Sequence, residues 1–119
     1  MITLEVILPY PAPCLNPNST VGWRKKYKAK KQAKETAYVT TLAALDGGAF
    51  NANGGRVNVD LTFHPPDHRD RDEDNALGSM KSALDGIAQG LRVDDKRFHL
   101  SHRFGPVTAG GCVVVTVTA

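Results

Sequence analysis

Cysteine is scarce in this chain: two in 119 residues, Cys14 and Cys112, far apart and outside any CxxC pattern. Such usage excludes a disulfide scaffold and fits a reduced, intracellular protein. Long apolar runs are missing as well, so no segment reaches membrane-spanning length. The start, "MITLEVILPYP", carries Glu5 and lacks a basic n-region, which argues against a secretory signal. There is no internal repeat and no low-complexity tail. At 41% hydrophobic and 23% charged residues, the composition is globular rather than disordered. The length suits one modest domain spanning residues 1–119.

What the chain does have is charge in blocks. Net charge is +3 with a pI near 9.0, a mild pointer to a polyanionic partner. Arg24, Lys25, Lys26, Lys28, Lys30, Lys31 and Lys34 supply seven of the 15 basic residues, all within "RKKYKAKKQAK". Asp67, Asp70, Asp72, Glu73, Asp74, Asp85, Asp94 and Asp95 supply eight of the 12 acids.

Hydropathy patterning places these blocks. "ITLEVIL" reads as a strand that ends at Pro9, and "PYPAPCLNPN" must be a loop. A long helix is expected from Arg24 to Leu45, with a core stripe of Tyr38, Leu42 and Leu45 helped by alanines, ended by "DGG". "NANGG" is a turn. In "RVNVDLTF", Val57, Val59, Leu61 and Phe63 share one face of a half-buried strand. A second helix is expected from Asn75 to Gln89, burying Leu77, Met80, Leu84, Ile87 and Leu91. "FHLSHRF" and "CVVVTVT" read as strands joined through "GPVTAGG" as a hairpin. The order β-α-β-α-β-β predicts a single α+β domain, a mixed sheet with two main helices packed on it.

The acidic stretch "DRDEDNALGSMK", Asp70 to Lys81, at first resembles a calcium loop. A calcium loop of the EF-hand kind needs glycine at its sixth position and a bidentate Glu at its twelfth. Here those positions hold Asn75 and Lys81, and Pro65 and Pro66 exclude an incoming helix. Acids also gather at helix N-termini, where they cap free N–H groups, so Asp72 or Asp74 could be an N-cap. That accounts for one or two carboxylates, not five acids between Asp67 and Asp74, which repel one another without a counter-ion. A divalent metal or the cations Arg69 and Arg71 would offset the repulsion. If the second helix extends back to Asp74, then Asp74, Lys81 and Asp85 fall within roughly 20° of one line, away from the apolar stripe. Asp94 and Asp95 follow in "VDDKR". Alternate aspartates, a helix lysine and a distant acid pair are what metal-dependent phosphodiester hydrolysis asks for, with basic surface for the backbone.

In this order and spacing the chain resembles the RusA family of Holliday-junction resolvases over most of its length. The carriers are the strand running into "LPYPAPCLNPN", the Asp-x-Asp-Asn signature as "DEDN", Lys81, Asp85 four residues on, and "VDD" after the helix. The resemblance implies a homodimeric Mg²⁺-dependent endonuclease, with Mn²⁺ as a substitute, that nicks opposed strands of a four-way DNA junction in recombination and repair. It implies Asp72, Asp74 and Asp95 as metal ligands and Lys81 as the catalytic lysine, with Asp94 and Asp85 as additional candidates. Asp70 is an extra acid, so the ligand pair could instead be Asp70 with Asp72. Lys81 lies six residues after Asn75, one helical turn further than in many members. Arg69, Arg71 and the block Arg24, Lys25, Lys26, Lys28, Lys30 and Lys31 are expected to hold phosphates. Trp23 or Tyr27 beside that block could stack on an unpaired base. A bacterial or phage-infected cytoplasm is the expected compartment, without membrane attachment.

Two alternatives compete. One is a non-catalytic module for branched or single-stranded DNA, its acids serving only as caps. The other, a restriction-type nuclease, wants an acid, one residue, then Lys; Glu73-Asp74-Asn75 lacks it. His64 and His68 flank a strand exit, and His99 and His102, three apart on a strand, face opposite sides, so no zinc site is expected.

Overall fold

The computed structural model describes residues 2–52 and 54–119. Strand β1 spans Thr3–Pro9, helix α1 Trp23–Leu45 and strand β2 Val57–His64. Helices α2 (Glu73–Gly78) and α3 (Lys81–Leu91) follow, then strands β3 (Phe98–Phe104) and β4 (Cys112–Thr118). Short 3-10 turns at Pro13–Leu15 and Asp95–Arg97 interrupt the loops. The expected turn at 51–55 includes residue 53, which lies outside the described residues.

The four strands form one mixed sheet in the order β1-β4-β2-β3. β4 runs antiparallel to both β1 and β2, while β3 lies parallel to β2. Burial alternates along the strands as period-two geometry demands. Val6, Val57, Val59, Leu61, Phe63, Val113, Val115 and Val117 are essentially inaccessible on one face, against Ile87, Leu84, Met80 and Leu91. The α+β expectation holds: this is one domain with helices packed on a mixed sheet. Among the described residues no helix is long and apolar enough to cross a membrane, and Cys14 and Cys112 are free thiols.

Three expectations need correction. First, β3 and β4 do not form a hairpin. Their connection crosses the end of β2, where Gly105 N–H donates to Phe63 O (2.8 Å) and Thr108 N–H to Pro65 O (2.9 Å). The reason is solvation: β4 carries three fully buried valines and belongs in the middle, whereas "FHLSHRF" buries no residue completely and suits an edge.

Second, the expected helix from Asn75 to Gln89 is two helices. The chain turns at Ser79 and Met80, whose φ/ψ of −93°/0° lies outside helical values. A Cβ on Gly78 would lie 2.7 Å from Pro17 Cγ, so the chain passes tightly under the proline loop there. Ser79 Oγ–H donates back to Asn75 O at 2.8 Å, a local bond that competes with helix continuation. The alignment of Asp74 with Lys81 and Asp85 assumed a continuous helix and therefore lapses. Lys81 and Asp85 still share α3.

Third, Leu42 is exposed, not core. The buried face of α1 is Ala37 and Thr41, because α3 approaches through Gly86 and Gly90. A Cβ on Gly86 would sit 2.2 Å from Lys34 O, and one on Gly90 2.9 Å from Thr41 Cγ2. Small residues facing small residues let the two backbones nearly touch, leaving no room for Leu42 there, whereas Leu45 is partly buried against the core as expected. Thr41, buried completely, satisfies its hydroxyl on Ala37 O at 2.7 Å. At 23 residues α1 is about 34 Å long, close to the 40 Å longest dimension of the molecule. Asp46, in the left-handed region at φ 48°, and Gly47 at φ 79° end it.

Candidate nucleic-acid and metal site

Beyond β2, Pro65 and Pro66 force the chain out of the sheet, and a tight polar loop follows. Asp67 organises it. Its carboxylate accepts from the Arg69 backbone N–H (3.1 Å) and from the Arg71 guanidinium (2.8 Å), and pairs with Arg69 Nε (3.2 Å). Arg71 also donates to the carbonyls of Asp67 and Arg69 and lies over the Tyr10 ring, 5.5 Å from its centroid. Tyr10 in turn meets Phe63 edge-on at 6.3 Å, so the loop is tied to the core through Arg71. Of the two arginines expected to bind phosphate, Arg71 is engaged within the protein, whereas the Arg69 side chain is 83% exposed. The Arg69 N–H and then the Arg71 guanidinium hold the Asp67 carboxyl below the usual carboxylate range. A depressed carboxyl stabilises the fold above its unfolded pKa, and that contribution is lost as pH falls through its folded pKa. Titration of Asp67 by NMR is therefore expected to show a depressed pKa in the native protein. It should rise part of the way back in Arg71→Ala, since the Arg69 N–H bond remains, with the Asp67–Asp72 loop loosening at acid pH; an unchanged value in the variant would contradict this account of the loop.

Asp72 is the N-cap of α2. Its Oδ1 accepts from the N–H groups of Asp74 (2.8 Å) and Asn75 (3.3 Å). The cap reading of Asp72 thus holds for one of its oxygens. The capped turn shapes a groove of about 650 Å³. One wall is the acidic loop with Arg69, Asp70, Asp72 and Asn75; the other is the proline loop with Tyr10 and Asn16. Asp74 is not among the lining residues: on a helical wheel it falls roughly 130° from the groove face defined by Asp72, Asn75 and Ser79. The groove therefore takes the Asp70–Asp72 pair, with Asp72 common to both ligand registers considered. Tyr10 and Asn16 were given no role from sequence, although the proline- and asparagine-rich segment that carries them was noted.

The second acidic group sits along α3. Lys81 opens the helix, exposed, and Asp85 lies one turn later. Asp94 caps the 3-10 turn, accepting from Lys96 N–H at 2.9 Å, which lowers its pKa. Asp95 is pushed up, first by sharing a hydrogen bond with Asp94, then by partial desolvation and the Asp85 charge. Thus Asp85, Asp94 and Asp95 come together, while neither Lys81 nor Asp95 lines the Asp70–Asp72 groove. Among the described residues no three His, Cys, Asp or Glu side chains converge on a point that could hold a metal ion.

The donors that do face the groove are carboxylate and amide oxygens, the hard set that Mg²⁺ prefers. Mg²⁺ commonly takes only one or two carboxylates and completes its octahedron with water and substrate phosphate. Asp70 and Asp72 supply two such carboxylates to the groove lining, and among the described residues no three-acid cage is preformed.

The basic block lies on α1. Arg24, Lys25, Lys28, Lys30, Lys31 and Lys34 are exposed, whereas Lys26 is half-buried with Nζ donating to Ser19 O at 3.1 Å. Trp23 and Tyr27 are 72% and 64% exposed, and Arg24 lies over the indole at 5.4 Å. They are surface residues, not core. Of the histidines, His68 follows Asp67 in the acidic loop, His64 Nδ1 is 2.9 Å from Pro106 O, and His99 is exposed while His102 is half-buried, as opposite faces of a strand require.

No family model matches the chain. An uncharacterized protein of Xylella fastidiosa is 39% identical to it over 116 residues, which cover 96% of this chain and 75% of that protein. At that identity and coverage, the chain belongs to the same family as the Xylella fastidiosa protein.

Proposed function

We propose that this protein is a Mg²⁺-dependent endodeoxyribonuclease selective for branched DNA, cutting four-way junctions as a homodimer in recombination and repair. The reading extends the resemblance to the RusA resolvases and places the activity inside a bacterial or phage-infected cell. One observation carries it: Asp70, Asp72 and Asn75 share a groove with the exposed Arg69.

In this reading Asp72, with Asp70 or Asp74, holds the metal. Mg²⁺ bound there would supply a Lewis acid that acidifies water and offsets charge on phosphoryl oxygens. Arg69 binds a phosphate at the groove mouth, and the loop that Asp67 and Arg71 brace keeps it in register. Lys81 approaches the strand from the start of α3 and stabilises developing charge. Asp95 is the third acid, with Asp85 and Asp94 beside it. The exposed cations of α1 hold the DNA backbone.

The test is cleavage of a synthetic four-way junction against linear duplex, with and without Mg²⁺ or Mn²⁺, by wild type and Asp74→Asn. Metal-dependent cutting of the junction alone supports the proposal. Tight junction binding with no cutting in either metal refutes it and favours the non-catalytic DNA-binding module. That second reading draws on a specific feature: Asp72 and Asp94 both act as caps.

Both readings share an electrostatic prediction. Changing Lys25, Lys28, Lys30 or Lys31 singly to Gln should weaken junction binding and lower the slope of log K against log salt by about 1 each. Lys26→Gln should act mainly on stability, since its ammonium is already bonded to Ser19 O. Fluorescence anisotropy across a salt series checks both.

A further inference from the structure

Beside the acidic groove lies a second cavity, of about 240 Å³. It is bounded by the end of β1 and the proline loop, by α1 through Ala29, Gln32, Ala33 and Thr36, and by Met80 and Ala83. The two spaces share a wall: Tyr10, Pro11, Ala12 and Ser79 line both. Alanines at 29 and 33 interrupt the lysine-rich run and keep the cavity open on the α1 side. Its volume is below the ~300–1,000 Å³ typical of drug-sized ligands, so it suits one small planar group. The lining is mostly apolar, with the Gln32 amide and Thr36 hydroxyl at one side, neither hydrogen-bonded through its side chain to any described residue.

We infer that this cavity receives one unpaired nucleobase next to the phosphate held in the acidic groove. The inference rests on the nuclease reading for its substrate class and goes further by assigning a base subsite. A base has apolar faces and a hydrogen-bonding edge, matching a slot with apolar walls and one amide that both donates and accepts. Cationic surface flanks the cavity: Lys28 and Lys30 on either side of its α1 wall and Arg69 at the groove. The continuous wall from Tyr10 to Ala12 lets one nucleotide place its phosphate in the groove and its base in the cavity. Bases at a branch point are the easiest to unstack, which would make the subsite a source of selectivity for junctions over duplex.

The experiment scans 2-aminopurine through the positions flanking the cut in a four-way junction, bound to the full chain with Ca²⁺ replacing Mg²⁺. A several-fold rise in emission at one position is expected, lost in Ala33→Trp, which fills the cavity. An abasic site at that position should slow cleavage in Mg²⁺ at least about tenfold. Circular dichroism and thermal melting confirm that Ala33→Trp is folded; if it is not, Ala29→Phe, on the preceding turn of α1, fills the same space. Emission that rises nowhere, or rises equally in the folded filling variant, overturns the inference. Cutting without a brightened position leaves the nuclease reading intact and removes the base subsite. A brightened, cavity-dependent position without cutting keeps the subsite and removes the nuclease reading.

Discussion

Asp72→Asn is expected to abolish Mg²⁺-dependent junction cleavage, lowering the single-turnover rate at least about a hundredfold, while stability and junction affinity stay close to wild type. The asparagine separates two roles of one carboxylate. As an N-cap, Asn is as good as Asp, so the bonds from Asp74 and Asn75 N–H survive. As a metal ligand it is not equivalent, because the negative charge is gone. Asp72→Ala removes both and should cost about 1 kcal/mol of stability in addition. Unaltered cutting by a folded Asp72→Asn would exclude Asp72 from the chemistry and, with it, both ligand registers. Asp70→Asn and Asp74→Asn then decide between them: the groove predicts the larger loss for Asp70→Asn, whereas the signature "DEDN" predicts it for Asp74→Asn.

The largest effect on stability is expected at a glycine. In an exposed helix interior, Gly→Ala gains about 1 kcal/mol. At Gly86 the sign should reverse. The added Cβ would lie 2.2 Å from Lys34 O, a carbonyl in the rigid backbone of α1, and 3.1 Å from Ala37 Cβ. The helices must separate, at a cost of about 3 kcal/mol or more, which for a domain of this size lowers Tm by on the order of 10 °C. Gly90→Ala should cost less, because its closest neighbours are Thr41 side-chain atoms at 2.9 and 3.0 Å rather than a carbonyl. Thermal and urea unfolding of the two variants, with the exposed Gln89→Ala as reference, test both the sign and the ranking. Equal stability of Gly86→Ala and wild type would mean that α1 and α3 do not approach this closely.

The contrast between what could and could not be read from the sequence follows the range of the interaction involved. Period-two alternation in "RVNVDLTF" and the apolar spacing of Met80, Leu84, Ile87 and Leu91 reported the core faces correctly, because burial acts on each position separately. The end of α1 was legible at "DGG" for a similarly local reason, the left-handed residues there. Strand neighbours were not. A glycine-containing link between two strands reads as a hairpin, and only competition for the middle of the sheet sends β3 to the edge and β4 between β1 and β2. Leu42 looked like core because leucine usually is; Gly86 and Gly90 decided otherwise from another helix. The acids were legible as a cluster and as possible caps. Their division into an Asp70–Asp72 group and an Asp85–Asp94–Asp95 group depends on the break at Ser79 and Met80, set by the neighbouring proline loop.

The place of β4 bears on how the molecule comes into being. It follows every other described element in the chain, yet it supplies the partner for both β1 and β2. Until Cys112–Thr118 has been synthesised, β1 has no strand beside it, and β2 has one unpaired edge. Nascent chains must therefore hold two sticky edges apart, with the α1–α3 and α1–β1 contacts and the β2–β3 pair able to form early. Sheet closure waits for contacts more than a hundred residues apart, such as Thr3 with Thr118, which favours slow, all-or-none assembly and exposes unfinished chains to misassociation.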